Sequence, residues 1–281
     1  MPTYIDQMGR TIELPHTQPP TKGNASAHLP IAPSPHRLIS LVPSQTELLI
    51  DLGANVVGRT KFCVYPAEQV AEIPVIGGTK HFRFKAIDAL QPDLIVGNKE
   101  ENYKEGIERL AEKYPVWLSD IYTLDDACTM IDLVGEIVGQ PAAARRMSTA
   151  IADGFAALEQ PARPLRVGYF IWQKPLMTVG RETFIHDVLT RCGLINAFAE
   201  TGSRRYPEVT PEAVAAAELD LIFLSTEPYP FGEKERQAFG EAYPGTAVYL
   251  VNGEMFSWYG SRLGLAVEYL NQLVAHILNQ P

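Results

Sequence analysis

The stretches "KAIDALQPDLIVGNKE" (residues 85–100) and "EAVAAAELDLIFLSTE" (residues 212–227) lie against each other without a gap. Ile87 meets Val214, Ala89 meets Ala216, Asp93-Leu94-Ile95 meets Asp220-Leu221-Ile222, and Glu100 meets Glu227. Each stretch reads as a short helix followed by an apolar run of strand length. Each then leads through a charged helical segment into a further strand, "YPVWLSD" (114–120) or "YPGTAVYLVNG" (243–253). A helix followed by a buried strand is common, but the same order of elements in both halves reads as an internal duplication. The expected fold is therefore α/β, with two similar lobes built on mainly parallel sheets flanked by helices.

The same pattern extends outward from both copies. "RLISLV" (37–42) reads as a buried strand, and a helix follows through "TELLIDLG". Ser44 with Glu47 three residues later predicts a capping box at its start, and Gly53 predicts its end. "VVGRT" (56–60) is the next strand, and the second lobe opens with "LRVGYFIW" (165–172). Between the lobes, Leu124, Cys128, Ile131, Val134 and Val138 recur at helical spacing, and Ala143, Met147, Ile151, Phe155 and Leu158 continue the stripe. Gly139-Gln140-Pro141 interrupts the run, with Pro141 suited to the first turn of a new helix. That second segment, about 19 residues, would be roughly 28 Å long, a long rigid backbone helix joining the lobes. The expected divisions are residues 1–36 (a hairpin over 4–14, then a Pro-rich loop), 37–122 (first lobe), 123–160 (connecting helix) and 161–281 (second lobe).

Composition narrows the function. The 281 residues are 46% hydrophobic with a formal net charge of −9, which disfavours nucleic acid and anionic membrane as partners. No apolar run is long enough to cross a bilayer. Cys63, Cys128 and Cys192 are scattered and form no metal-binding or disulfide pattern. Enzyme motifs are missing as well. Ser44 lacks the Gly-x-Ser-x-Gly setting of a hydrolase nucleophile, and "VIGGTK" (75–80) is neither a phosphate loop nor a dinucleotide fingerprint. The first twenty residues show no cationic start, apolar core or lipobox of an export signal, so a cytoplasmic location is expected for the chain as written.

The segments "DQMGRTIELP" (6–15), "HRLISLVPSQTELLIDLGANVVGRTKFCVYP" (36–66) and "VIGGTKHFRFKAIDALQPDLIVGN" (75–98) carry a family resemblance. So do "PLMTVGRETFIHDVLTRCGLINAF" (175–198) and "FSWYGSRLGLAVEYLNQLV" (256–274). The chain resembles the substrate-binding proteins of vitamin B12 and iron–siderophore ABC transporters, the class with a helical backbone between lobes, and "SLVPSQTELL" points to the cobalamin branch. The resemblance implies non-covalent binding of a metal chelate in a cleft between the lobes. A corrinoid is expected first, with ferric siderophore or haem as alternatives. It also implies a monomer with no cofactor of its own, no catalytic residues and no protein-bound metal, and a place outside the cytoplasmic membrane.

In such a fold the loops after the strands line the site. The implied ligand-binding residues are Phe62, Cys63, Tyr65, His81 and Phe82 in the first lobe. In the second lobe they are Trp172, Tyr229, Phe231, Phe256, Trp258, Tyr259 and Arg262. Rings offer broad, stiff contact to a bulky chelate. Arg262 reads either as a receptor for an acidic ligand group or as the partner of a carboxylate. Lys61 and Lys80 read as solvated charges beside the site. A permease is implied to dock on one Glu per lobe. Glu212 fits the second lobe, but the first-lobe counterpart is Lys85, which an arginine would repel. A leaderless cytosolic ligand-binding or sensor protein of the same fold, without a permease partner, is the alternative.

Overall fold

Short apolar runs become parallel strands buried on both faces, because helices cover each side of the sheet. The computed structural model describes residues 2–14, 35, 37–202 and 205–279. The expected Pro-rich loop at 15–36 lies outside the described residues apart from Pro35. The chain divides into two compact units. One comprises Met1–Asp120, Asp126–Ala150 and Tyr259–Arg262, and the other Ile121–Asp125, Ile151–Trp258 and Leu263–Pro281.

The first unit begins with an antiparallel hairpin, β1 (Thr3–Ile5) and β2 (Thr11–Glu13). Asp6 organises its turn: the carboxylate accepts from the Met8 and Arg10 amides and pairs with the Arg10 side chain. The elements that follow are β3 (Leu38–Ser40), α1 (Pro43–Asp51), β4 (Val56–Arg59) and α2 (Ala67–Ala71). A small hairpin, β5 (Gly77–Gly78) and β6 (His81–Phe82), precedes α3 (Phe84–Leu90), β7 (Leu94–Asn98), α4 (Lys104–Ala111) and β8 (Val116–Ser119). The sheet order is β4-β3-β7-β8, all parallel. Its core joins Ile39, Ile95 and Val116 from the strands to Ile87 of α3 and Ile107 and Leu110 of α4.

The helical stretch at 124–159 forms α5 (Leu124–Ile137) and α6 (Pro141–Ala156). Gly139, at φ +72°, makes the break, and Pro141 starts the second helix as expected. The two helices turn back on each other: Asp132 accepts from Arg145 and Ser148 across the pair. The division between the units falls within α6, after Ala150.

The second unit holds β9 (Leu165–Trp172), β10 (Met177–Thr178), α7 (Phe184–Arg191), β11 (Leu194–Asn196) and α8 (Pro211–Ala216). Then come β12 (Leu221–Ser225), α9 (Glu233–Ala242), β13 (Ala247–Val251), the single turn α10 (Glu254–Ser257) and α11 (Leu263–Leu278). Four strands run parallel in the order β11-β9-β12-β13, and β10 adds antiparallel to β9. The parallel strands of the first unit have the same order, with the earliest flanked by the second on one side and the third and fourth on the other. The duplication read from residues 85–100 and 212–227 is thus a duplication of topology. Lys85 and Glu212 occupy the same place, the second residue of α3 and of α8.

One local expectation fails. Pro43, not Ser44, opens α1, the N-cap is Val42, and its side chain makes no cap bond. Proline needs no amide partner in the first turn, so the capping box is not formed and Glu47 is released for another use. Gly53 ends the helix at φ +72°, donating to Ile50 O, as its position implied.

Candidate functional site

Parallel strands deliver their loops to one end of a sheet, and in α/β folds ligands bind outside the carboxyl ends of the strands. In the first unit a buried polar floor shapes these loops. Ser119 Oγ, at the end of β8, accepts from Gln45 Nε2 at 2.6 Å and from Asn98 Nδ2 at 2.9 Å. Asn98 Oδ1 accepts from the amides of Glu100 and Glu101, which closes the turn after β7. Asn102 accepts from the Asn98 amide and donates to Thr79 O, so the tip of the β5–β6 hairpin is tied to that turn. Lys80 Nζ adds a second tie, to Glu100 O at 2.7 Å.

Above this floor Phe62 is 49% exposed. It lies over Gly78, where an added Cβ would sit 3.3 Å from its ring. Lys61 Nζ stands 4.8 Å from the same ring centroid. Tyr65 is half-buried, and His81 is exposed near Tyr103. The other first-lobe candidates are interior. Cys63 is fully buried beside Thr60 Oγ1, and Phe82 packs 4.8 Å from Tyr103 within the core. Burial pushes the Cys63 thiol up, against the opposing hydrogen bonds from Thr46 and Thr60. Cys63 and Phe82 are thus both buried, with little or no surface of their own.

The second unit repeats the device with different residues. Ser225, which matches Asn98, ends β12, accepts from the Tyr169 hydroxyl at 3.1 Å and donates to Glu227 O at 2.6 Å. Trp172 at the end of β9 is 39% exposed, with its indole N–H held by Lys174 O. Tyr229 meets it edge-on at 5.7 Å and donates to Gln173 Oε1. Phe231 packs beneath Tyr229 in the core, and Phe256 is fully enclosed by Tyr169, Phe223 and Tyr269. Both rings are interior: Phe231 packs against Tyr229, and Phe256 packs among rings of its own core. Trp258 is half-buried, whereas Tyr259 is buried and belongs to the first unit.

Arg262 resolves in favour of structure. Its guanidinium makes two 2.8 Å hydrogen bonds to the Glu47 carboxylate, and both side chains are about nine-tenths buried. Its Cζ also stands 4.0 Å from the Tyr65 ring centroid. Gly260, at φ +114°, brings the chain to within 3.1 Å, measured from an added Cβ, of Ser44 O. Glu47 as the partner was missed because its place in the sequence matched a cap. Glu212 is exposed, and its own amide and the Thr210 hydroxyl hold its carboxyl below the usual range. Lys85 is likewise exposed. Among the described residues, no group of three or more His, Cys, Asp or Glu is placed to hold a metal ion. No helix of the described residues is long and apolar enough to cross a membrane.

The doubled parallel sheet and its loop-borne rings match a known class. Residues 38–242 match the periplasmic binding protein family, and the chain belongs to it. The vitamin B12-binding protein of Pectobacterium carotovorum is 28% identical over 250 residues, 86% of this chain and 89% of that one. The periplasmic vitamin B12 binding protein BtuF of Vibrio cholerae superposes with a TM-score of 0.72 at 22% identity, covering 88% of this chain and 99% of that one. The periplasmic heme-binding protein RhuT of Roseiflexus reaches 0.71 at 23%, covering 87% and 98%. These two structures show the fold. The family is periplasmic by description, and the comparisons give no support to the cytosolic alternative.

Proposed function

We propose that the chain is the substrate-binding protein of an ABC transporter and binds a metal chelate without covalent chemistry, a corrinoid first, with haem or a ferric siderophore as the other candidates. The observation that carries this reading is the placement of partly exposed rings at the carboxyl ends of parallel strands in each unit. Phe62 and Tyr65 follow β4, and Trp172 and Tyr229 stand on β9 and after β12. A chelate with a wide flat face needs broad contact from side chains that lose little freedom, and aromatic rings supply it. Family membership and the vitamin B12-binding relatives support the same reading. The protein has no intrinsic cofactor in this reading and no catalytic step. It works outside the cytoplasmic membrane, as the family description implies.

Glu212 is the proposed permease contact of the second unit. Its carboxylate is exposed and kept ionised at the start of α8, which suits an arginine partner. Lys85 in the equivalent place would weaken docking to an arginine on the other side.

Titration with cyanocobalamin, haem or a ferric siderophore, followed by visible absorbance and Trp fluorescence, tests the reading. A saturable change with one of them is expected. Trp172→Ala should then cost about 2 kcal/mol of binding, roughly thirtyfold in Kd, without loss of the fold. No response to any of the three at micromolar concentrations would refute the proposal.

A further inference from the structure

Arg262 is buried and spends two of its donors on Glu47, so exposed cations on the loop face are the candidates to meet an acidic group on a ligand. Two stand on the loop face of the first unit, Lys61 and Lys80, and neither has a carboxylate within ion-pair distance among the described residues. Lys61 folds over the β5–β6 hairpin, its Cε 3.7 Å from a Cβ built at Gly78. Lys80 sits in the turn of that same hairpin, two residues after Gly78. The turn is held by Asn102 through Thr79 O, and Lys80 Nζ spends one hydrogen bond on a neutral carbonyl, Glu100 O. An ammonium has three donors, so Lys80 keeps two for a ligand. Phe62, nearly half exposed, lies beside Lys61 on the same hairpin. An apolar ring with one ammonium group beside it and a second on the turn of the hairpin beneath it, on a chain of net charge −9, suits an anionic oxygen attached to a large apolar body.

Resting on the chelate-binding reading above, we infer that Lys61 and Lys80 form an anion subsite that selects chelates carrying a carboxylate or phosphate group over their neutral analogues. The chelate face lies on Phe62 and the acidic substituent reaches over Gly78 to the two ammonium groups. A side chain at position 78 would crowd the Phe62 ring, 3.3 Å from an added Cβ, so the glycine keeps this face open. Two matched pairs of probes distinguish the sources of the charge. Haem differs from haem dimethyl ester by its free carboxylates, and cobalamin differs from cobinamide by its phosphodiester-linked nucleotide.

The test is calorimetric titration of the native protein and the Lys61→Gln/Lys80→Gln double variant with all four probes. Both lysines are exposed, so the fold should survive, and an unchanged melting temperature verifies it. The double variant should lose roughly tenfold or more in affinity for the acid-bearing member of the bound pair. It should lose little for the neutral member, and its salt dependence should flatten. Loss on the haem pair identifies a carboxylate, and loss on the corrinoid pair a phosphodiester. Binding of both members that is equally affected, or unaffected, by the substitutions overturns the subsite while leaving chelate binding intact. Failure of the native protein to bind any probe refutes the chelate reading and the subsite with it.

Discussion

Arg262 and Glu47 show how burial decides the use of a charged side chain. A guanidinium near a ligand loop has two possible employments, and the buried, doubly hydrogen-bonded carboxylate settles it. Removing one member of such a pair leaves the other charge stranded, at a cost of about 3–5 kcal/mol. Arg262→Ala should lower the unfolding free energy in urea by that amount. Arg262→Met combined with Glu47→Leu should recover most of it. A loss of only a few tenths for the single variant would mean that the pair is solvated. Burial also governs the thiols. Cys192 is pushed up to about 12 by burial, and Cys63 is raised for the same first cause. Thiolate is the reactive form, so at pH 8, below both folded values, these two thiols stay protonated and inert. Native protein should therefore react with a thiol reagent only at the half-buried Cys128, and all three should react in denaturant. Fast native labelling at Cys63 would contradict its interior place.

The helices show where local sequence speaks clearly and where packing overrules it. The stop at Gly53, the break at Gly139 and the start at Pro141 were all legible, because left-handed backbone and a missing amide leave plain marks. The start of α1 was misread since Ser44 and Glu47 fit the spacing of a cap, while the partner that claims Glu47 is 215 residues away. The close approach of α5 to α6 was not legible either, although its agent is a single residue. Gly135 faces Ala144, and a Cβ added there would collide with the Ala144 Cβ. Alanine favours a helix interior over glycine by about 1 kcal/mol, yet overpacking typically costs 1–3 kcal/mol. Gly135→Ala should thus give net destabilisation by thermal unfolding, and Ala144→Gly in the same chain should relieve it. A rise in melting temperature for Gly135→Ala alone would show that the helices have room to separate.

At the scale of the molecule, the duplication carried the fold. Two sixteen-residue stretches with matching apolar and acidic positions imply the same helix–strand unit twice, and the parallel sheets repeat strand for strand. The site was less legible. Rings after strands were the right place to look, but sequence does not distinguish a ring that faces outward from one buried in the core. Phe62 and Trp172 are exposed, while Phe82, Phe231 and Phe256 are core. The polar floor also escaped notice, although Asn98 and Ser225 stand at matching positions of the repeat and each shapes the turn that follows its strand. The proposed function is that the chain holds a metal chelate. The most direct test is native mass spectrometry of the purified chain mixed with equimolar cyanocobalamin, haem and a ferric siderophore. One chelate per chain is expected, surviving at low activation and diminished by Trp172→Ala. A bare chain in every mixture would contradict it.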